Sequence, residues 1–317
     1  MWDEAAKVSL WGHNVYLFGL CCAIGAFLFI LSLHLSEKKA ELKKGTASLL
    51  GAVSVVAGFL CSRVLFCLLD RSLGFSIPFS AWFRVDGGGF SMFGVLVGVI
   101  LACRLTATVT DQPFSGVADL ASPSFLLFVA SERIGEQWIP DFGISRQLEG
   151  KWISGTFMAV QGDYGAAYLA TYFLEALFAL ILYGMLTVSL FRKKRPGHTF
   201  LLFLLFFGAS QTLAESLRYD YHISISFVGL QQIMACLLIV IAVIVIAADT
   251  FRNHRSLALI ALISLPVTIG LLILLEFALD RTVISKYLLY PVFILMLALP
   301  LTPALLLEKS RNKKLDF

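Results

Sequence analysis

Charge is scarce in this sequence. Asp, Glu, Lys and Arg make up 15% of its 317 residues, whereas an ordinary soluble domain carries about 25%. That shortage excludes a soluble globular enzyme. It does not signal disorder, because 58% of the residues are hydrophobic and the mean hydropathy is +0.84. Cysteine is too sparse for a disulfide-built secreted scaffold. Cys21, Cys22, Cys61, Cys67, Cys103 and Cys236 lie within or at the end of apolar runs, and none stands in a Cys-x-x-Cys pair. They read as small buried hydrophobes. The five histidines are scattered, so no metal is expected. A basic leader is missing too. Asp3 and Glu4 stand near the start, and the first apolar run is too long for a secretory signal.

What the chain does have is long apolar runs of about 20 residues, the length that crosses a bilayer. The expected fold is all-α, a polytopic membrane bundle of about nine spanning helices. They are predicted near 14–35, 47–69, 88–106, 116–134, 165–191, 199–217, 226–248, 256–279 and 287–307. The net charge of +4 does not call for nucleic acid, because Lys and Arg gather in cytoplasmic loops. Fifteen of them fall in one set of alternating connections, including the clusters Lys38–Lys44, Arg192–Arg195 and Lys309–Lys314, and nine in the other. The dense set should face the cytoplasm, with the N-terminus outside and the C-terminus inside. The longest outer connection, about 136–164, reads as a small folded cap or an interfacial loop rather than a domain. The last two spans differ from the rest in their Leu, Ile and Pro content, and no internal repeat supports an inverted-repeat transporter.

An ionisable group deep in a span costs roughly 2.5–3.5 kcal/mol on insertion scales, so such groups carry information. Glu175 lies inside the fifth span. It reads either as functional or as a carboxyl bonded to a neighbouring helix. Ser131-Glu132-Arg133-Ile134-Gly135-Glu136 ends the fourth span. If helical, it sets Glu132 and Glu136 on one face and Arg133 beside Glu136. Two like charges there call for a cation or ligand between them; the alternative is an ion-pair cluster snorkelling to water. Gln211, Glu215 and Arg218 follow one helix face near the outer end of the sixth span. Arg133 and Arg218 suit a lipid phosphate, since guanidinium forks match its oxygens, or else each neutralises a local Glu. Gly87-Gly88-Gly89 leads into Phe90-Ser91-Met92-Phe93-Gly94. This is either a helix start that presents N–H groups to an anion or a turn with close packing through Gly94 and Gly98.

Taken together, these stretches resemble the prolipoprotein diacylglyceryl transferase family, over about Tyr16 to residue 248. Gly88-Gly89-Phe90-Ser91-Met92-Phe93-Gly94 looks like its Gly-Gly-x-Ser-x-His-Gly segment. Asp119-x-x-x-Pro123 followed by Arg133-x-Gly135 resembles its signature. Phe207-Gly208-x-x-Gln211-x-x-x-Glu215-x-x-Arg218 resembles its Tyr-Gly-x-x-Arg-x-x-x-Glu-x-x-Arg segment. Glu175 and Gln232 fall where the family has a helix Glu and a Gln. The resemblance implies a seven-helix core within 1–255 and an addition over 256–317. It implies transfer of a diacylglyceryl group from phosphatidylglycerol to the lipobox cysteine of a prolipoprotein, in the bacterial plasma membrane and without a cofactor. The partners so implied are the phospholipid and the prolipoprotein signal peptide. The substrate-binding candidates are Arg133, Gly135, Glu215, Arg218, Glu175, Gln232, Gly88 and Gly89.

The departures fall on the chemistry. The family His is Phe93, the Asn after Arg-x-Gly is Glu136, and the first Arg of the sixth-span motif is Gln211. Arg133, Glu136 and Glu132 are then the catalytic candidates, either carboxylate replacing the base, with His222 a further one. Three readings stand: a divergent transferase, a relative that binds phospholipid or signal peptide without chemistry, and an unrelated membrane transporter.

Overall fold

The computed structural model describes residues 7–10, 13–69, 82, 89–139, 143–145, 154–161, 167–192, 194–218, 224–225 and 227–313. Among these, nine helices are long and apolar enough to cross a membrane. They are α1 (Leu17–Glu37), α2 (Thr46–Leu69), α3 (Met92–Thr110), α4 (Phe114–Gly135), α5 (Thr171–Phe191), α6 (His198–Leu217), α7 (Leu230–Thr250), α8 (Arg255–Arg281) and α9 (Lys286–Lys313). Three short antiparallel hairpins accompany them: β1 (Lys7–Leu10) with β2 (His13–Tyr16), β3 (Ala159–Gln161) with β4 (Ala167–Leu169), and β5 (Ser224–Ile225) with β6 (Val228–Gly229). The protein is a multi-pass helical membrane protein. The hairpins correct the expected helix starts. α5 begins at Thr171 rather than 165 and α7 at Leu230 rather than 226, because a strand precedes each. Apolar composition cannot separate strand from helix over so few residues.

The chain divides into two compact units, Met1–Phe191 with Leu217–Ile223, and Arg192–Ser216 with Ser224–Phe317. In the first unit α4 is the central helix: 67% of its apolar stretch is buried, against 22% for α1 and for α2. Ser122 and Ser124 donate back to the carbonyls of Ala118 and Leu120 around Pro123, which tames polar groups beside a residue that lacks an N–H. Ser131 donates to the Cys21 carbonyl at 2.7 Å, tying α4 to α1. α2 and α3 meet through glycine. A Cβ on Gly94 would lie 2.4 Å from Ser62 Cα, and one on Gly98 would lie 2.5 Å from the Ala57 carbonyl oxygen. Small residues let the two backbones touch where lipid gives no hydrophobic drive. Ser91 caps α3, its Oγ accepting from the Gly94 N–H at 3.3 Å.

In the second unit α8 and α9 pack as a pair, with Thr268 Oγ1 donating to the Met296 carbonyl. Tyr290 of α9 donates to the Ser216 carbonyl of α6 at 3.0 Å. A polar network ties the start of α6 to the ends of α7 and α9. Asp249 accepts from Arg195 at 2.8 Å and Arg311 at 2.6 Å, while Glu308 pairs with Arg311 at 3.0 Å and His198 at 2.8 Å.

Candidate functional site

The last turn of α4 carries Arg133 into the first unit's interior. Its side chain is 3% exposed, so the cluster is buried, and the alternative of side chains snorkelling to water is not what forms. A 3-10 turn over Glu136–Trp138 follows directly. It swings Glu136 back so that Oε1 lies 2.5 Å from Arg133 Nη1. Arg133 Nε lies 2.8 Å from Glu175 Oε2 and 3.6 Å from Glu132 Oε2. Neither contact is aligned as a hydrogen bond, so both act through charge. Nη2 points to the Met92 sulfur at 3.3 Å.

A second guanidinium closes the cluster. Arg218 Nη1 donates to Glu136 Oε2 at 3.0 Å and to Glu175 Oε1 at 2.9 Å, and Nη2 donates to Glu136 Oε1 at 3.2 Å. Sequence spacing set Arg218 on the same helix face as Gln211 and Glu215. Instead, α6 ends at Leu217, and Arg218 pairs in strand fashion with Ser145 of the connection between α4 and α5. That connection therefore contains β pairing, which its Trp, Pro and Gly content did not reveal. Ser145 is held in turn by Leu169, whose N–H donates to its Oγ at 3.0 Å. Gly143 lies beside it with φ +66°, and a Cβ there would come within 3.0 Å of Glu136 Oε2 and 2.8 Å of Tyr172 Cβ. Only glycine accepts both the backbone and the crowding. Met92, Gly143 and Ser145 carry no charge and stand in no charged motif, so sequence reasoning passed over them.

The cluster thus sets Glu132, Glu136 and Glu175 against two guanidinium groups. Among the described residues the carboxylates exceed the cations by one. Glu136 and Glu175 each bridge both arginines, while Glu132 meets only Arg133 and is the most exposed of the three, at 13%. Such a site can hold an anion if a carboxylate yields its place. It can also accept a proton at the carboxylate least neutralised. No His, Cys, Asp or Glu group among the described residues is arranged to hold a metal ion.

The other candidates have contacts of their own. Gly135 packs against α1, where a Cβ would lie 2.9 Å from Cys21 Cβ. Gly89 has φ +78°, and its carbonyl accepts from Arg63 Nη1 at 2.8 Å. Arg63 also lies over the rings of Phe66 and Phe90. The N–H groups of Ser91 and Gly94 are spent on the Ser62 carbonyl and the Ser91 side chain. Gly89, the one described glycine of the lead-in, sits against Arg63 and Phe66. Gly88 and His222 lie outside the described residues. Phe93 is buried at 4%. In the second unit Gln211, Glu215 and Gln232 are all buried, and Gln232 Nε2 lies 2.7 Å from Glu276 Oε1.

With this geometry in hand, comparison with known proteins is decisive on descent. The profile of a family described as "Prolipoprotein diacylglyceryl transferase" matches residues 6–248. The chain belongs to that family. A phosphatidylglycerol–prolipoprotein diacylglyceryl transferase of Bacillus velezensis is 25% identical over 260 residues, covering 77% of this chain and 90% of the relative. Proteins of the same name from Bacillus licheniformis and Oceanobacillus iheyensis are 24% and 23% identical, covering 76% and 77% of this chain and 90% and 87% of each relative. Membership in a transferase family removes the reading as an unrelated transporter, and the relatives are bacterial. The match stops at residue 248, so α8 and α9 lie beyond it.

Proposed function

We propose that this protein is a divergent diacylglyceryl transferase of the bacterial plasma membrane. It takes the group from phosphatidylglycerol and delivers it to the lipobox thiol of a prolipoprotein. One observation carries the reading: two buried arginines, eighty-five residues apart in sequence, converge on the same two carboxylates. That convergence supports a phosphate clamp built from Arg133 and Arg218. Glu136 occupies the clamp in the absence of substrate and yields to the lipid phosphate. Glu132 is the base, because it is the least neutralised carboxylate beside the clamp. The thiol gives its proton to Glu132, and the sulfur lone pair forms the C–S bond to the glyceryl carbon. The C–O bond to that carbon breaks, and glycerol phosphate leaves with the oxygen and its electron pair. The arginines then stabilise the departing phosphate, the step where fixed charge counts most.

In this reading residues 1–255 are the transferase domain, with the cap near 136–164, and 256–317 are an addition. Gly135, Glu215 and Gln232 are carried from the family resemblance as substrate-binding residues.

A second reading has its own support. Phe93 stands where the family has a proton-accepting His, and Glu136 already satisfies both guanidinium groups. These features favour a relative that binds phospholipid or signal peptide without chemistry. The test is incubation of the purified chain in phosphatidylglycerol proteoliposomes with a lipobox peptide, read by peptide mass. A diacylglyceryl adduct that disappears in Arg133→Ala supports the transferase. No adduct, with lipid or peptide still retained, supports the binding protein.

A further inference from the structure

The nitrogens of Arg133 face unlike neighbours. Nη1 lies against Glu136 Oε1, Nε lies 2.8 Å from Glu175 Oε2, and Nη2 donates to the Met92 sulfur at 3.3 Å. A guanidinium presents its N–H groups as forks, Nη1 with Nη2 and Nε with Nη2. Nη2 belongs to both forks. A phosphate that grips Arg133 through either one must take the place where the sulfur sits. The acceptors differ in strength too. Glu136 and Glu175 are carboxylates, which hold an N–H firmly, whereas a thioether is a weak acceptor. Nη2 is the corner of the guanidinium that an incoming oxygen takes at least cost.

Met92 is built to give way there. Its backbone is fixed from both sides. The Gly89 carbonyl accepts from Arg63 Nη1 at 2.8 Å, the Ser91 N–H donates to the Ser62 carbonyl at 3.2 Å, and the Ser91 side chain caps α3 through the Gly94 N–H. The side chain is unbranched and turns about three bonds, so it can swing while the backbone stays. It is 8% exposed. In the segment Gly-Gly-x-Ser-x-His-Gly, Met92 stands at an unspecified position, so the resemblance assigns it no role. Met92, Arg133, Glu136, Glu175 and Arg218 all belong to the first unit.

We propose that Met92 is a placeholder on the phosphate clamp: its thioether covers Arg133 Nη2 until a phosphate oxygen of the lipid displaces it. This rests on the phosphate-binding role given to Arg133 above. The sulfur leaves first because it is held least, and Glu136 then yields Nη1 to complete the fork. A stronger acceptor at 92 would keep the lipid out, and a side chain with no acceptor would not.

The experiment uses the full chain in detergent micelles with ¹³C-labelled methionine methyl groups, titrated with phosphatidylglycerol or with inorganic phosphate. Met92→Leu assigns the signal, which is the one that disappears. In wild type the Met92 methyl signal should move as phosphatidylglycerol binds, and inorganic phosphate should move it the same way at higher concentration. Met92→Leu keeps the volume and has no acceptor, so lipid binding should stay within about threefold of wild type or tighten. Met92→Gln should weaken it about tenfold, because an amide oxygen holds Nη2 more firmly than sulfur does. A methyl signal that stays still while wild type binds the lipid overturns the proposal, however the variants fold. Equal binding by the two variants also overturns it. Movement with inorganic phosphate and none with the lipid overturns the lipid as occupant. Arg133→Ala separates this inference from the reading beneath it. If that variant loses the lipid while the wild-type methyl signal stays still, the clamp stands and the inference alone falls. If it binds the lipid as wild type does, both fall.

Discussion

Arg218 grips Glu136 through two nitrogens, Nη1 to Oε2 at 3.0 Å and Nη2 to Oε1 at 3.2 Å, across eighty-two residues of sequence. The fork geometry that suits a phosphate is here filled by the protein's own carboxylate. Where the family has Asn, this chain has an anion held at the proposed phosphate position.

Glu136→Asn should therefore open the clamp. Retention of phosphatidylglycerol in purified protein should rise, and the melting temperature should fall, because the guanidinium groups lose a partner. Breaking a buried pair by removing one member typically costs about 3–5 kcal/mol; Glu175 still reaches both arginines, which puts the loss at the lower end. Lipid retention no higher than wild type would refute the idea that Glu136 occupies the clamp.

Arg133→Ala should be more damaging than Glu136→Asn. It leaves three carboxylates facing one guanidinium, so both lipid binding and thermal stability should drop. Arg133→Lys should recover part of the stability and less of the binding, since a point charge cannot reproduce the fork. Lipid retention measured beside thermal unfolding separates the two losses.

Glu132→Gln tests the base. It keeps shape and removes the proton acceptor, and it leaves the pairs of Glu136 and Glu175 with both arginines in place. Adduct formation should fall by about 10²–10⁴, the usual contribution of a general base, with lipid retention unchanged. Undiminished adduct would move the base elsewhere.

Gly94→Ala should destabilise the α2–α3 contact by about 1–3 kcal/mol, the usual range for overpacking, because its new methyl would meet Ser62 backbone. Gly184→Ala on α5 is the counterpart. A Cβ there meets nothing within 4 Å, and helix propensity favours Ala by about 1 kcal/mol. Opposite signs of the two thermal shifts are the expected result.

At the far end of the second unit, Glu308→Ala should cost far more than Asp249→Ala. Glu308 is 1% exposed and meets both Arg311 and His198, whereas Asp249 is 35% exposed. Asp249 also meets two groups, Arg195 and Arg311, but solvent screens its partly exposed carboxylate, and exposed pairs contribute only about 0–1 kcal/mol each. Thermal unfolding of the two variants compares them directly.

Hydropathy alone was enough to find the nine spanning helices among the described residues, because nothing else in a chain this apolar competes with that signal. The two arginines were legible as a pair because ionisable groups in spans are rare. How they meet was not legible. Helix periodicity put Arg218 on the α6 face, but the helix stops one residue earlier, and the strand contact with Ser145 aims the side chain. The direction of Glu136 depends on a 3-10 turn and on the left-handed glycine at 143, both in the connection between α4 and α5. Nothing in the sequence tied Glu276 to Gln232, since their bond joins two different helices.

The sequence distance between Glu136 and Arg218 also fixes an order of assembly. A nascent chain inserts α4 with Glu132, Arg133 and Glu136, then α5 with Glu175, before α6 has emerged. Until Arg218 follows, three carboxylates answer to one guanidinium within the apolar phase. The first unit is thus electrostatically incomplete until the chain has crossed the membrane a sixth time. A chain halted before Arg218 holds Glu132, Glu136 and Glu175 with Arg133 alone of the two arginines to answer them.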